Sequence, residues 1–521
     1  MMIAVSPPSL DTSEYLPNEA MLKIVVASAH EAQHGWATVP LRYRAKVLQA
    51  IAQAIRDHAE ALAKRIEDET GKSMSDALTS DVAIAAGSFR QAAELGLRCL
   101  KPQGYPLSQS WRALALGRSH QTLYSPKGVV AAITPWNYPI GIPAWAIAAS
   151  LMTGNACILK PSELSPESGK ALVALVQEVL ENHGYSKNLV ICVTGDGSVG
   201  RALLDEPVDH VLFTGSVGTG RAIQAQLAGR NIGLSLELGG SCPALILPSL
   251  DKAYWDSVIS QITWGRCFNA GQSCAAIKRL LLPNAGKEEW LERLAATFNA
   301  IAQPLVLINH TQRQRLHQQV VQALAEGATL VCRGTFNESS PTPVYPPTLI
   351  TNLPPQSHLW QEEWFGPVLL VDGFDTVAEA IEKANNTSFG LTASVFGPQA
   401  EAEKMAQKLQ AGLVTVNDVA LAHYGFLHVP WQGVKNSGPG ISHSTEGLLA
   451  LVTAKTMGIN TLPTWIKPPW LLQKSAMQSS QSSGHPFQHG LIRWMSHSFW
   501  RAQWNPALLK GLWQQRPRTR L

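Results

Sequence analysis

Along the first hundred residues apolar positions recur three and four apart among charged ones, which predicts helices. Residues 41–66 carry this pattern most clearly and read as an amphipathic surface helix. From Tyr124 the texture changes to short β-rich runs alternating with helical segments. Strands are predicted at 128–133, 156–159, 189–193 and 211–213, with helices at 165–182 and 218–227 between them. After Gly240 the rhythm resumes, with strands predicted at 243–247, 279–282, 367–374, 393–396 and 412–416. Such alternation implies an α/β fold with a mostly parallel, doubly wound sheet, followed by a second α/β domain. No repeat of solenoid length interrupts it.

One apolar stretch needs separate treatment. Residues 129–154 hold no charged side chain, yet Pro135, Asn137, Pro139, Gly141 and Pro143 lie within them. Those residues break a spanning helix and would leave backbone groups unpaired in lipid, so a buried, turn-rich crossover is expected.

Composition narrows the class further. A chain of 521 residues with 45% hydrophobic and 15% charged residues is long enough for two or three globular domains. Seven cysteines, an odd number without close pairs resembling a metal framework, fit reduced thiols and a cytoplasmic setting, and no metal is expected. Residues 1–10 lack the basic-then-apolar order of a secretory signal.

Net charge is +4, but from Leu462 onward eight Lys and Arg residues meet no Asp or Glu, leaving −4 on the remainder. The body is therefore not expected to seek nucleic acid or anionic lipid. In the tail, Leu491, Ile492, Met495, Phe499 and Trp500 recur near helical spacing beside Arg493 and Arg501, after a Ser/Gln-rich linker at 475–484. Two readings stand: peripheral membrane contact through 485–521, or a helix packed on its own subunit or a partner.

Two segments carry chemistry. Phe268-Asn269-Ala270-Gly271-Gln272-Ser273-Cys274 sets a thiol behind a glycine-polar turn, and Glu237 lies in the apolar run Leu236-Glu237-Leu238-Gly239-Gly240. A thiol is a soft nucleophile, and burial should raise a carboxyl toward a general base's working range. The paired glycines fit a hinge or a close approach to ligand. In Thr134-Pro135-Trp136-Asn137-Tyr138-Pro139, two prolines pin the backbone around an amide able to donate to an oxyanion.

Together with further segments these resemble the aldehyde dehydrogenase superfamily. The matching segments are Pro135-Trp136-Asn137, Lys160-Pro161-Ser162-Glu163, Phe213-Thr214-Gly215-Ser216, Glu237-Leu238-Gly239-Gly240, Gly271-Gln272-Ser273-Cys274, Glu362-Glu363-Trp364-Phe365-Gly366-Pro367 and Gly433-Val434-Lys435-Asn436-Ser437-Gly438. They occur in one order, and the resemblance covers roughly residues 20–460. The resemblance implies a Rossmann-type cofactor domain over 1–238, with oligomerisation strands near 108–126. It also implies a catalytic domain over 239–435 and a return segment with an oligomerisation strand over 436–461, before the basic tail at 462–521.

The implied reaction is oxidation of an aldehyde to its acid with NAD(P)+. Cys274 forms a thiohemiacetal held by the Asn137 amide and the Cys274 N–H, and Glu237 activates the water that hydrolyses the thioester. Cofactor contacts are implied for Trp136, Lys160, Ser162, Glu163, Gly215, Ser216, Gly220, Leu238, Glu363 and Phe365. Glu163, at a position near the adenosine ribose, favours NAD over NADP because its carboxylate would repel a 2′-phosphate. A homodimer or homotetramer is implied.

The segment differs from the family pattern at Pro430-Trp431-Gln432-Gly433, at Trp364 and at Ile441-Ser442-His443-Ser444, which bears on loop geometry and substrate shape. Tyr138, Trp145, Trp264, Phe268 and Trp431 flank the catalytic motifs and are large and apolar, so an aliphatic or aromatic apolar aldehyde is expected. A CoA-acylating relative and a catalytically silent scaffold are the alternatives; Glu237 speaks against the first, and the intact Cys274, Glu237 and Asn137 against the second.

Overall fold

A computed structural model describes residues 19–104, 118–301 and 305–460. The chain divides into two units, Met1–Gly104 with Gln121–Met457, and Tyr105–His120 with Gly458–Leu521. The tail at 462–521, with its expected membrane contact, lies outside the described residues, as does much of the expected oligomerisation segment near 108–126. Of the second unit only 118–120 and 458–460 are described, as ends of strands.

The first unit begins with helices Glu19–Ala37, Leu41–Asp57, Ala59–Thr70 and Ala83–Cys99. The single helix expected over 41–66 is two. His58 leaves the helical region at φ −108° and ψ 18°, and its ring bonds Ala54 O at 2.9 Å, so the apolar stripe continues in a new direction. Strand β1 (Gln103–Gly104) pairs antiparallel with β2 (Arg118–Pro126).

Five strands form the first sheet: β3 (Val129–Ile133), β4 (Ala156–Lys160), β5 (Val190–Cys192), β6 (His210–Thr214) and β7 (Gly233–Glu237). All pairs are parallel and the order is β5-β4-β3-β6-β7. Helices cover both faces of such a sheet, which is why Val129, Val130, Cys157, Ile158 and Leu159 are fully buried in near-continuous apolar runs. Strand order reverses between β3 and β6, so ligands are expected in the crevice beyond the carboxyl ends of those two strands.

The uncharged stretch resolves into β3, a turn, and helix Gly141–Thr153, whose residues are buried apart from Ile142. Its C-terminal carbonyls are taken up by side chains of the N-terminal helices: Trp36 donates to Leu151 O at 2.8 Å and Gln33 to Gly154 O at 2.9 Å. Internal burial, and not a membrane, accounts for its composition. Among the described residues no helix is long and apolar enough to cross a membrane.

The second sheet holds β8 (Cys242–Ile246), β9 (Ile277–Pro283), β11 (Thr329–Arg333), β13 (Thr348–Thr351), β14 (Val368–Phe374), β15 (Thr392–Phe396) and β16 (Leu413–Val416). Its order is β11-β13-β14-β9-β8-β15-β16, parallel except for the β11–β13 pair. A separate ribbon pairs β10 (Leu305–Val306) with β12 (Val344–Tyr345). Another pairs β17 (Trp431–Gln432) with β18 (Ile441–Ser442), and β19 (Val452–Asn460) lies beside β2. The chain passes from the first sheet to the second between Glu237, the last residue of β7, and Cys242, the first of β8.

Candidate active site

The crossing between sheets is built for close approach. A Cβ on Gly239 would stand 2.3 Å from Glu363 Oε2, and one on Gly240 would stand 2.6 Å from the Cys274 carbonyl. Only glycine admits both neighbours, and Gly240 N–H donates to Glu363 Oε1 at 3.0 Å. Sequence suggests a hinge or a close approach to ligand; the close approach seen is to the protein's own Glu363 side chain and Cys274 carbonyl.

The thiol is held on a loop of unusual backbone. Asn269, Ala270 and Gly271 take φ values of 54°, 55° and 70° in succession. Two of these are not glycine, so surrounding bonds must hold the turn. The fully buried Arg266 donates to Gly271 O at 2.5 Å and to Ile277 O at 2.9 Å. Asn269 Nδ2 donates to Asn137 O at 2.9 Å, and Gln272 Oε1 accepts from Ile308 N at 2.9 Å. Lys278, also fully buried, donates to the carbonyls of Ser273 at 2.8 Å and Cys274 at 2.7 Å, and its Nζ lies 3.5 Å from Glu363. Arg266 and Lys278 are thus spent on the loop and are not free to bind a substrate anion.

Asn137 is fixed from the other side. A π-helical turn, Leu78–Val82, carries Asp81. Its carboxylate pairs with Lys72 at 2.6 Å and accepts from the N–H groups of Ile140 at 3.1 Å and Gly141 at 3.0 Å, capping helix Gly141–Thr153. Lys72 in turn donates to Asn137 O at 2.8 Å. The Asn137 Nδ2 donates to Gln272 O at 3.0 Å, which uses one of its two hydrogens and leaves one for another acceptor. Among the described residues the Cys274 N–H has no hydrogen-bond partner.

Two cavities meet at Cys274 and Glu237, which line both. The first, about 60 Å³, is walled by Tyr138, Trp145, Leu421, Tyr424, Trp431 and His443. Its rings contact one another: Tyr138 stacks on Tyr424 at 5.4 Å, and Tyr424 meets Trp431 edge-on at 5.5 Å. No Lys or Arg lines it. The second, about 200 Å³, opens at the reversal of strand order and is lined by Trp136, Asn137, Gly215, Ser216, Leu238, Glu363 and Phe365.

Burial dominates the electrostatics at the junction. It pushes the Cys274 thiol up to about 12 against the pull of the Lys278 ammonium. Burial also pushes the Glu237 carboxyl up to about 8, with the Ser442 hydroxyl and backbone working the other way. Glu237 Oε1 is buried without a hydrogen-bond partner. At neutral pH both groups therefore rest protonated, and each would have to lose its proton before it could act as nucleophile or base.

The second cavity presents groups suited to the nicotinamide and phosphate portion of a dinucleotide. Ser216 caps helix Val217–Leu227, whose first-turn Gly218 has nothing within 4 Å of a Cβ position, so phosphate oxygens can approach its amides. Gly220 packs against Leu238, where a Cβ would meet Leu238 Cδ2 at 2.7 Å. Trp136 and Phe365 meet edge-on at 5.5 Å beside the Glu363 carboxylate.

The residues singled out in sequence divide accordingly. Cys274, Glu237, Asn137, Trp136, Gly215, Ser216, Leu238, Glu363 and Phe365 come together at the junction, as do Tyr138, Trp145 and Trp431 on the aromatic side. Lys160, Ser162 and Glu163 line neither cavity. They lie at and just past the carboxyl end of β4, with Lys160 Nζ 3.5 Å from Glu163. Trp264 and Phe268 also line neither: they pack on each other at 4.9 Å, and Trp264 is 41% exposed.

Sequence reasoning missed Lys72, Asp81 and Tyr424, gave Lys278 no role, and marked His443 only as part of a departure bearing on substrate shape. For Lys278 a signal existed, a charge set inside the apolar run of β9.

Comparison with known proteins agrees with this architecture. The model of the aldehyde dehydrogenase family matches residues 15–457. A putative NADP+ succinate-semialdehyde dehydrogenase of Mycolicibacterium smegmatis is 33% identical over 83% of this chain and 83% of its own length. A peroxisomal aminoaldehyde dehydrogenase of Pisum sativum is 33% identical over 83% of this chain and 86% of its own. Among solved structures, betaine aldehyde dehydrogenase of Staphylococcus aureus in complex with NAD+ superposes with a TM-score of 0.78 at 30% identity, covering 87% of this chain and 91% of that one. An NADP-dependent glyceraldehyde-3-phosphate dehydrogenase of Bacillus halodurans, complexed with NADP, gives 0.79 at 28% identity, covering 85% and 92%. The chain belongs to the aldehyde dehydrogenase family and is an NAD(P)-dependent aldehyde dehydrogenase.

Proposed function

We propose that the chain oxidises a neutral, apolar aldehyde, aromatic in the first instance, to its carboxylic acid. The observation that carries this reading is the meeting, at Cys274 and Glu237, of an aromatic cavity that holds no Lys or Arg and a second cavity that holds Glu363, Phe365 and the helix-capping Ser216. Cys274, as the thiolate left when its proton passes to water, bonds through sulfur to the carbonyl carbon, and the oxygen, now anionic, accepts from the free Asn137 N–H and the Cys274 N–H. A nicotinamide, when bound, would supply the acceptor for the hydride lost from that carbon, which leaves a thioester on Cys274. Glu237 then takes a proton from water, whose oxygen attacks the thioester; the C–S bond breaks, the acid leaves and the thiol is restored.

Glu363, Phe365 and Trp136 would hold the nicotinamide end, and the helix start at Ser216 the pyrophosphate. Lys160 and Glu163 would serve the adenosine ribose, and the Glu163 carboxylate favours NAD over NADP. The division into a cofactor half up to 238 and a catalytic half over 239–435 is supported by the two sheets that meet at Glu237.

The curated relatives named for succinate semialdehyde suggest an anionic aldehyde, but burying a carboxylate among these rings without a cation is costly. The decisive assay is reduced-nicotinamide production from a panel of benzaldehyde, hexanal, succinate semialdehyde and betaine aldehyde, with and without CoA, beside Cys274→Ala. Turnover of benzaldehyde without CoA, lost in Cys274→Ala, is expected. Preference for succinate semialdehyde, or strict CoA dependence, would overturn the reading.

A further inference from the structure

His443 has no part in the chemistry above, yet its placement is exceptional. Its backbone sits at φ 61° and ψ −179°, a region that is essentially glycine's, and Ser444 follows at φ 58°. The turn is held by pairing of β18 with β17, which sets Ser442 opposite Trp431, by Ser444 N–H donating to Leu427 O at 2.9 Å, and by Gly447 N–H donating to His443 O at 3.0 Å. The outcome is an imidazole, 3% exposed, in the wall of the cavity that ends at Cys274. Trp145 meets it edge-on at 5.1 Å, with Tyr424 at 5.6 Å and Trp431 at 6.2 Å.

Its Nδ1 is buried without a hydrogen-bond partner. Buried polar atoms in folded proteins are nearly always paired, so an imidazole with an unpartnered nitrogen, on a residue that lines a ligand cavity, has hydrogen-bonding capacity that a ligand can use. Strain of this kind persists only where its surroundings enforce it, and it clusters at functional sites. Burial keeps the imidazole neutral, with its pKa lowered to about 3, so it offers one donor and one acceptor and no charge.

We propose that His443 is a specificity-determining residue that reads a phenolic hydroxyl on an aromatic aldehyde whose formyl group lies at Cys274. This rests on the reading of the cavity as an aromatic-aldehyde site. A hydroxyl suits the imidazole in either tautomer, since it both donates and accepts, and the flat ring of a phenol suits the space between Tyr424, Trp145 and Trp431. A carboxylate or ammonium substituent would be buried there without a counter-charge.

The test compares kcat/KM for benzaldehyde with that for meta- and para-hydroxybenzaldehyde in the wild type, His443→Phe and His443→Asn. The expected result is that preference for the better hydroxylated substrate over benzaldehyde falls about tenfold or more in His443→Phe. His443→Asn should restore part of it, since asparagine tolerates positive φ and keeps polar atoms in the cavity. The intrinsic electronic effect of the hydroxyl cancels in that comparison.

Inhibition of the wild type by phenol against toluene needs no variant, and phenol should bind about tenfold more tightly. An unchanged preference in His443→Phe, or equal inhibition by phenol and toluene, would overturn the proposal. Turnover of hexanal but of none of the three aromatic aldehydes would instead overturn the aromatic reading on which it rests.

Discussion

Glu237→Gln separates two consequences of one buried carboxyl. Raising that carboxyl from 4.5 to about 8 corresponds to roughly 5 kcal/mol against the ionised form, an upper bound because water entry on ionisation reduces it. Between those two pH values the folded state binds a proton that the unfolded state has lost. The contribution of Glu237 to stability is therefore complete below about pH 4.5 and declines as pH rises through the folded value. Glutamine never ionises, so the variant should unfold at about the wild-type temperature at pH 5 and some degrees higher at pH 9.

Catalysis should move in the opposite sense. At pH 6 only about one per cent of a base with that pKa is ionised, so kcat in the wild type should lie roughly a hundredfold below its plateau and rise tenfold per pH unit. In Glu237→Gln the limb should vanish, leaving one equivalent of reduced nicotinamide per subunit and little turnover after it. Thermal unfolding of both proteins at pH 5 and pH 9, with stopped-flow and steady-state rates across the range, makes the comparison. A difference in unfolding temperature that does not change with pH, or an acid limb that survives in the variant, would refute the reasoning.

Three further outcomes follow from the same geometry. Lys278→Met leaves the carbonyls of Ser273 and Cys274 without their donor and removes the cation beside Glu363, and should cost about 3 kcal/mol. It should also slow alkylation of Cys274 by iodoacetamide, since the ammonium is what favours the thiolate; denaturant titration and labelling rates measure the two effects. Asp81→Asn leaves Lys72 buried without its partner and should destabilise by about 3–5 kcal/mol. It should lower kcat more than it changes KM, because the displaced group is the Asn137 turn. Glu163→Gln should shift the ratio of kcat/KM for NADP over NAD upward several-fold, a modest change because the Glu163 side chain is 53% exposed and its interactions are screened.

Much of the fold was legible because its signals are local. Parallel strands buried on both faces read as apolar runs, and β3, β4, β6 and β14 fall within a residue or two of their expected places. β7 escaped notice because Gly233-Leu234-Ser235-Leu236-Glu237 is short and ends on a charge, although it delivers the candidate base. The break at His58 was invisible because both sides keep helical periodicity. Trp264 and Phe268 were drawn toward the pocket by nearness in sequence to Cys274; neither lines it, although Phe268, like Cys274, packs against the cluster that holds Leu421 and Trp431.

The sequence alone determined the residue types: which thiol follows a glycine-polar turn, which carboxyl sits in an apolar run, and which asparagine is pinned between prolines. These are properties of neighbours in the chain, where propensity and turn chemistry act. Only tertiary structure decided that Lys72 and Asp81 hold the asparagine and that Lys278 holds the thiol loop. It also decided that four aromatic residues and His443, drawn from four separate segments, enclose one cavity. Such contacts join positions as much as three hundred residues apart, and burial, which moves the thiol and the carboxyl from their ordinary ionisation, exists only once those segments have packed.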